Sequence, residues 1–201
     1  MIMGLRDPND AAAYDEALGK VTIGGPQPLP GRIEIRDYDP AWPGVFAREA
    51  ERIRAVLGDR VVRLEHVGST SVPGLPAKPV IDIVLEVSDS SDEPVYVPDL
   101  EAAGFVLRIR EPDWFEHRLL KDPDMDVNLH VFSAGCVETD RMVLFRDWLR
   151  SNDRDRLLYA GAKKALVRRD WKYVQQYADA KTAVITDIMT RAHASQRRPA
   201  E

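Results

Sequence analysis

The sequence has little of what would mark a secreted or membrane-embedded protein. Its single cysteine, Cys136, excludes an internal disulfide and favours a reducing compartment. No apolar run approaches the roughly 18–20 residues that a membrane span needs. The first ten residues lack the basic-then-apolar pattern of a signal peptide. We therefore expect a soluble cytoplasmic protein with no membrane partner.

Positive charge and the common nucleotide-binding motifs are also lacking. The net charge of −5 does not indicate a broad face for nucleic acid, so nucleic acid is an unlikely partner by composition. Neither GxxxxGK[ST] nor GxGxxG occurs, which leaves ATPases of the Walker type and dinucleotide-binding enzymes without support. No internal repeat is visible, and the oligomeric state is not predicted.

The patterns that are present predict strands first and helices last. Alternating apolar residues predict six strands, at 33–38, 61–66, 80–87, 104–110, 114–121 and 125–132. Apolar residues at three- and four-residue steps predict helices, at 10–18, 40–57, 98–103, 138–150, 153–168 and 171–193. This order predicts an α+β fold, a mixed sheet covered by helices with a C-terminal helical segment.

The Gly/Pro-rich stretch at 24–31 suggests a boundary within the chain. We expect residues 1–31 to be an N-terminal extension and linker, with Asn9 or Asp10 capping its helix. Residues 32–193 are then one domain, and residues 194–201 are a frayed tail.

A carboxylate interrupts the most apolar of the predicted strands. In EHVGSTSVPGLPAKPVIDIVLEV, residues 65–87, alternation places Asp82 on the same face as Val80 and Val84. A charge at such a position needs a partner, a metal or a shifted pKa. Two readings stay open: an aspartate at the strand edge that caps a loop or meets an arginine, and a ligand of a metal or phosphate site.

The loop before that strand favours the second reading. Gly68, Ser69, Thr70 and Ser71 offer successive backbone N–H groups and three hydroxyls in one short segment. Such a segment can surround an anionic oxygen. Followed by a strand that carries an acid, it predicts a phosphate-binding turn.

A second polar set lies on the strand at 125–132. Asn128 and His130 alternate there with apolar residues, so one face of the strand is polar, and it either faces solvent or joins Asp82 in one cleft. On the neighbouring strand His117 and Arg118 point to opposite faces, so at most one of them can join the site. We predict Arg118, as a charge for phosphate.

Three side chains of the C-terminal helices are candidates for anion binding. Lys181 falls within an apolar stripe, so it either reaches water or meets a buried anion. Tyr159 and Lys163 are an i,i+4 pair on one helix face, which is either ordinary surface or part of the site.

These residues resemble those of the GrpB family, also called UPF0157 and described as having a nucleotidyltransferase-like fold. The resemblance rests on IEIRDYDPAWPGVFAREAERI, EHVGSTSVPGLPAKPVIDI, LHV, FRDWLR, and the two segments YAGAK and YADAK, and it covers roughly residues 32–192. Members of this family also occur fused to dephospho-CoA kinase.

The resemblance implies a Gly-Ser turn followed by a strand with an acid-x-acid pair. Gly68 and Ser69 match the turn and Asp82 matches the first acid, but the position of the second acid is Val84. A third acid is expected on a later strand, where Asp126 or His130 is the nearest candidate. The family's His-x-His pattern is reduced here to Asn128 and His130, which weakens a metal site made of two histidines.

The sequence therefore predicts a protein that binds a nucleotide or another phosphate-bearing small molecule. The loop 68–71, with Lys78, Arg118, Tyr159, Lys163 and Lys181, is expected to bind it. If the protein is an enzyme, Asp82 and His130 are the catalytic pair and the ligands of Mg²⁺ or Mn²⁺ in nucleotidyl or phosphoryl transfer. A binding or accessory module without catalysis is the main alternative, favoured by Val84, and metal-assisted hydrolysis is a third.

Overall fold

The structure is a computed structural model that describes residues 11–122 and 126–196. Within these residues it has five strands: β1 (Arg63–Val67), β2 (Ile81–Val87), β3 (Val106–Glu111), β4 (His117–Asp122) and β5 (Val127–Ser133). It also has seven α-helices: α1 (Ala11–Val21), α2 (Trp42–Leu57), α3 (Val97–Ala102), α4 (Val137–Ser151), α5 (Asp153–Leu166), α6 (Val174–Asp179) and α7 (Thr182–Gln196). The α+β class predicted from the sequence is confirmed.

All five strands form one mixed sheet in the order β1-β2-β5-β4-β3. β2 and β5 are parallel, and the other neighbouring pairs are antiparallel. In the register of the sheet Asp82 lies opposite Asn128, and Asn128 lies opposite Lys121. The sheet thus brings polar residues of three strands into one row.

One face of the sheet is covered by α2 and α3. The apolar stripe of α2, which includes Ile53 and Leu57, packs with Leu100 of α3 on Ile83 of β2 and Leu129 of β5, and all five side chains are buried. Pro43 lies in the first turn of α2, where its missing N–H costs nothing, and Gly58 ends the helix with φ +55°. This face is the main hydrophobic core.

The opposite face carries Asp82 and is partly covered by the C-terminal helices. Val84 and Phe132 pack there with Met142 and Val143 of α4. A further apolar cluster joins α4, α5 and α7 to the loop before β2, through the fully buried Leu75 and Ile188. The helix α5, which carries Lys163, is therefore fixed against the loop that leads into the strand of Asp82.

The N-terminal segment packs against the same body. Tyr14 of α1 donates a hydrogen bond to Asp179 Oδ2 at 2.6 Å, and the Ile23 N–H donates to the Arg108 carbonyl at 2.9 Å. The caps predicted at Asn9 and Asp10 lie outside the described residues, as do residues 197–201 of the predicted tail, and the boundary at residue 31 stays a prediction.

Two predicted elements differ from the structure. Residues 33–38 do not form a strand, because only Arg36 pairs with another backbone segment, at Ala77. The predicted helix at 171–193 is divided into α6 and α7, with Lys181 between them. In the described part of the chain no helix is both long and apolar enough to cross a membrane.

Candidate functional site

Asp82 lies at the centre of a polar group on the open part of the sheet. Its carboxylate accepts a hydrogen bond from Asn128 Nδ2 at 2.8 Å, and His130 Nε2 lies 3.8 Å from the same oxygen. Burial acts to raise the pKa of Asp82, but His130, Asn128 and Lys181 outweigh it, so the pKa is held below its usual value. The carboxylate stays ionised, and 29% of the side chain remains exposed to solvent.

The turn before β2 is shaped around this carboxylate. Gly68 has φ +69° and ψ −173°, a conformation that only glycine adopts readily. A Cβ at this position would overlap Asp82 Oδ2 and lie 3.0 Å from the Asp82 Cγ. The glycine predicted from the sequence therefore allows the loop to approach the acid closely.

The three hydroxyls of the loop have different roles. Thr70 Oγ1 donates to the Val80 carbonyl at 3.1 Å, and Ser71 Oγ donates to the Gly68 carbonyl at 2.6 Å. Both side chains are buried, so these two hydroxyls hold the 3₁₀ turn and are not available to a ligand, contrary to the prediction. The remaining one, Ser69 Oγ, accepts a hydrogen bond from Lys163 Nζ at 2.8 Å.

Lys163 is a buried cation beside the loop, and its side chain is only 2% exposed. Its Nζ also donates to the Pro76 carbonyl at 2.6 Å and lies 4.8 Å from the centre of the Tyr159 ring. Burial lowers the pKa of Lys163 to about 6, and Lys181 contributes, while Asp82 acts in the opposite direction. Lys163 is therefore mostly neutral at physiological pH.

The ring of Tyr159 packs against the amino group of Lys163. Its side chain is buried, and burial raises the pKa of its hydroxyl. The same arrangement recurs at the other YxxxK segment, where Lys181 Nζ lies 4.7 Å from the centre of the Tyr177 ring. The charge of Lys181 acts on both Asp82 and Lys163, so the two lysines and the carboxylate belong to one site.

Lys121 is a third cation of the site that the sequence interpretation missed. It follows Asn128 in the row across the sheet, and burial lowers its pKa, as do the charges of Lys78 and Arg108, whereas Asp82 raises it. Lys78 itself is exposed and lines a cleft of about 380 Å³ with residues 29–34, Arg36 and Pro79. Lys78 thus acts on the site from its edge.

The prediction that Arg118 joins the site is wrong. Arg118 points to the face covered by α2 and α3, where its Nε donates to Glu93 Oε1 at 2.6 Å and its Nη1 donates to the Glu116 carbonyl at 2.9 Å. Its neighbour His117 points to the face of Asp82 instead. There His117 Nε2 lies 3.1 Å from His130 Nδ1, within hydrogen-bond distance.

A buried acid continues this contact into the protein. Glu111 Oε2 lies 2.7 Å from His117 Nδ1, and the side chains of Glu111 and His117 are 4% and 2% exposed. Burial raises the pKa of Glu111 to about 7, and burial and the neighbouring His130 hold the pKa of His117 well below its usual value. The sequence offered no signal for Glu111, which is one of several charged residues on β3.

The residues of the site do not fit the two-metal arrangement of nucleotidyl transfer. Asp82 and His130 supply two donor atoms, and the position of a second acid on β2 is the buried Val84. Among residues 11–122 and 126–196 no group of three His, Cys, Asp or Glu side chains could hold a metal ion. Two donors are too few for the two-ion clamp that such transfer requires.

Comparison with known proteins agrees with the fold and shows the family. A family model described as GrpB protein matches residues 32–191. A UPF0157 protein of Halalkalibacterium halodurans is 57% identical over 187 residues, which are 93% of this chain and 96% of that protein. The crystal structure of conserved protein GrpB from Enterococcus faecalis has a TM-score of 0.72 at 28% identity, over 82% of this chain and 100% of that chain.

The chain also matches part of a longer protein that carries an enzyme name. A dephospho-CoA kinase of Mycobacterium bovis is 31% identical over 180 residues, which are 77% of this chain but 44% of the kinase. The chain thus spans less than half of that relative.

Proposed function

This chain belongs to the GrpB family. Because Asp82 and Lys121 of its sheet lie near Lys163 and Lys181 of the C-terminal helical segment, we propose that it binds a phosphate-bearing small molecule, a nucleotide or a coenzyme A precursor, at this site. We call Asp82, Ser69, Asn128, His130, Lys121, Lys163 and Lys181 the Asp82 site. The proposal includes the nucleotidyltransferase-like fold and the cytoplasmic location expected from the sequence.

The balance of charge at the Asp82 site is the observation that carries the proposal. One carboxylate is influenced by Lys163, Lys181 and Lys121. Three lysines can carry more positive charge than one carboxylate neutralises, and a phosphate group would supply the additional negative charge. Surfaces that bind phosphate use lysine in this way, as a point charge.

The low pKa of Lys163 fits a ligand that is itself an anion. A lysine that is neutral because it is buried beside another cation regains its proton when negative charge arrives. Ser69 and the Pro76 carbonyl already hold its Nζ in place through hydrogen bonds of 2.8 and 2.6 Å. The anion would thus meet a lysine whose position is set before binding.

We propose a single Mg²⁺ or Mn²⁺ ion in place of the two that nucleotidyl transfer uses. Asp82 and His130 could contribute two donors to a single ion, which would supply charge neutralisation between the protein and the phosphate group. Val84 favours the alternative of a binding or accessory module without catalysis. The kinase named among the relatives suggests dephospho-CoA as one ligand to try, but its activity belongs to the longer protein.

Isothermal titration calorimetry with ATP, dephospho-CoA and inorganic phosphate tests the proposal, each in Mg²⁺, in Mn²⁺ and in EDTA. We expect at least one compound to bind, and Lys181→Met to weaken it by about tenfold or more, since a tenfold loss equals about 1.4 kcal/mol. Lys164→Met is the matched control, because Lys164 lies next to Lys163 in sequence but is exposed.

The outcomes separate the possible functions. Binding that needs metal and gives a new product in chromatography supports transfer, released inorganic phosphate supports hydrolysis, and binding without product supports the accessory module. If no compound binds, or if Lys181→Met and Lys164→Met bind as well as the native protein does, the Asp82 site is not an anion site.

A further inference from the structure

A second cleft lies along β1, the strand at one edge of the sheet. Side chains of α2, β1 and α4 line it, and its volume of about 380 Å³ is usual for a small-molecule site. It shares no residue with the Asp82 site. We call the cleft lined by Phe46, Arg54, Glu65, His66, Arg146 and Arg150 the arginine cleft.

The turn at residues 69–71 separates the arginine cleft from the Asp82 site. At one end of the turn, Ser69 Oγ accepts a hydrogen bond from Lys163 Nζ at 2.8 Å. At the other end, the Ser71 carbonyl accepts from Arg150 Nε at 3.0 Å and from Arg150 Nη2 at 2.8 Å. The two ends of the turn contact different cations, so the arginine cleft is a site of its own.

Arg150 has hydrogen-bond donors left for a ligand. A guanidinium group has five N–H donors, and the described residues engage three of those of Arg150: two at the Ser71 carbonyl and one, at 3.4 Å, at Asp147 Oδ1. One N–H remains on Nη1 and one on Nη2, and 42% of the side chain is exposed. Two such N–H groups side by side form the fork that binds both oxygens of a carboxylate.

Arg146 is fixed in the wall of the arginine cleft. Its Nη1 donates to Glu65 Oε2 at 2.7 Å and to the His66 carbonyl at 2.9 Å, and its Nε donates to Asp147 Oδ1 at 2.8 Å. Only 10% of the side chain is exposed. The position of this cation is therefore set before any ligand binds.

Positive charge exceeds negative charge in the arginine cleft. Arg54, Arg146 and Arg150 line it, and arginine stays protonated at any pH that the protein meets. The opposing charges are Glu65, which also lines the cleft, and Asp147, which pairs with Arg146. Three positive charges against two negative charges leave one positive charge, which a singly charged anion would balance.

The remaining walls of the arginine cleft are apolar and flat. Phe46 stacks on His66, with ring centroids 4.9 Å apart and ring planes 10° apart. Tyr38, Pro43 and Pro73 add three more rings to the lining. Flat apolar rings of this kind are favourable packing surfaces for the ring of a ligand.

We propose that the arginine cleft binds a small aromatic carboxylate, with its carboxylate group on the two remaining N–H groups of Arg150 and its ring against Phe46. A phosphate monoester with two negative charges fits less well, because only one positive charge is unbalanced. This inference does not depend on a ligand at the Asp82 site.

Amide NMR of the native protein in EDTA at about pH 7, where a carboxylate is ionised, tests the proposal with indole-3-acetate as the probe. We expect saturable shifts at Ser71 and Arg150, and none at Asn128 or Lys163 of the Asp82 site. Indole-3-acetamide has the same shape without the charge, and acetate has the charge without the ring. Each should bind about tenfold or more weakly than indole-3-acetate, since each lacks one of the two interactions.

Two arginine variants test the charge of the cleft. Arg150→Gln should weaken binding of indole-3-acetate by about tenfold or more, the usual result of losing a charge-assisted hydrogen bond. Arg54→Gln should weaken it as well, and because Arg54 is exposed this variant leaves the fold intact. Arg48→Gln is the matched control: Arg48 is exposed on the same helix, does not line the cleft and should leave binding unchanged.

Three results would overturn the proposal. The first is the lack of saturable shifts at Ser71 and Arg150, including the case in which shifts occur only at the Asp82 site. The second is indole-3-acetamide or acetate binding as tightly as indole-3-acetate. The third is binding to both Arg54→Gln and Arg150→Gln that is as tight as binding to the native protein.

Discussion

At the scale of single residues, Gly68 connects the turn at residues 68–71 to Asp82. Its positive φ and its contact with the carboxylate both exclude a larger side chain. The residue was recognisable in the sequence as part of a turn. Its closeness to Asp82 was not, because thirteen residues separate the two and only the pairing of β1 with β2 brings them together.

We predict that Gly68→Ala lowers the free energy of unfolding by about 1–3 kcal/mol, because alanine is strained at this φ and ψ, and that the overlap with Asp82 also removes ligand binding. Gly74→Ala is the matched control. Gly74 has φ +75° but no atom within 4 Å of an added Cβ, so it tests backbone strain alone. Urea denaturation and calorimetry measure the two effects, and equal ligand binding by both variants would contradict the role of Gly68.

The choice between His117 and Arg118 shows where reasoning from sequence stops at this scale. Adjacent residues of a strand face opposite sides, so one of the two had to face Asp82. The pattern could not decide which, because Leu119 and Leu120 follow and both faces of β4 are apolar there. Charge favoured Arg118, but Glu93 on the other face of the sheet provides its partner.

At the scale of elements, the loop between β1 and β2 joins the sheet to the C-terminal helices. Its first part holds Ser69 and the turn, and its later part buries Leu75 fully in the cluster with Leu149 and Ile188. The two acceptors of Lys163, Ser69 Oγ and the Pro76 carbonyl, lie on either side of this anchor. Packing of the loop thus positions the cation.

We predict that Leu75→Ala lowers the free energy of unfolding by about 2–5 kcal/mol, the usual range for a buried leucine. It should also weaken phosphate-ligand binding, since the acceptors of Lys163 would lose their support. Leu157→Ala on α5 is the control, because Leu157 is 70% exposed and such surface changes stay within about 0.5 kcal/mol. A loss of stability with unchanged binding would show that the loop does not position Lys163.

The helices and strands themselves were largely predictable, whereas the side of each helix that faces the rest of the protein was not. The helices at 138–150 and 153–168 were predicted close to the bounds of α4 and α5, because acidic first turns and apolar periodicity are local signals. The burial of Lys163 depends on which side of α5 meets the loop, which no local signal states. Reading the Tyr159–Lys163 pair as surface was therefore as reasonable as reading it as part of the site.

At the scale of the whole molecule, the Asp82 site combines three parts of the chain: the turn and β2, the strands β4 and β5, and the segments YAGAK and YADAK. Alternation predicted correctly that Asn128 and His130 could share a face with Asp82. Lys121 and Glu111 were missed, and Arg118 was preferred to His117, because the positions of these side chains depend on strand register and burial. Tertiary structure, not composition, decides such contacts.

The measurement that tests this account most directly is proton uptake on ligand binding, by calorimetry in buffers of different ionisation enthalpy. The pKa of Lys163 is about 6 in the free protein, and a bound anion raises it. At a pH between the pKa of the free protein and the higher pKa of the complex, Lys163 takes up a proton when the ligand binds, so the affinity falls as pH rises.

We predict an uptake of about one proton per phosphate ligand between about pH 7.5 and 9, and little or none in Lys163→Met. A native protein that binds the ligand with no uptake of protons, or an undiminished uptake in Lys163→Met, would contradict the claim that the lysines of the Asp82 site receive the anion.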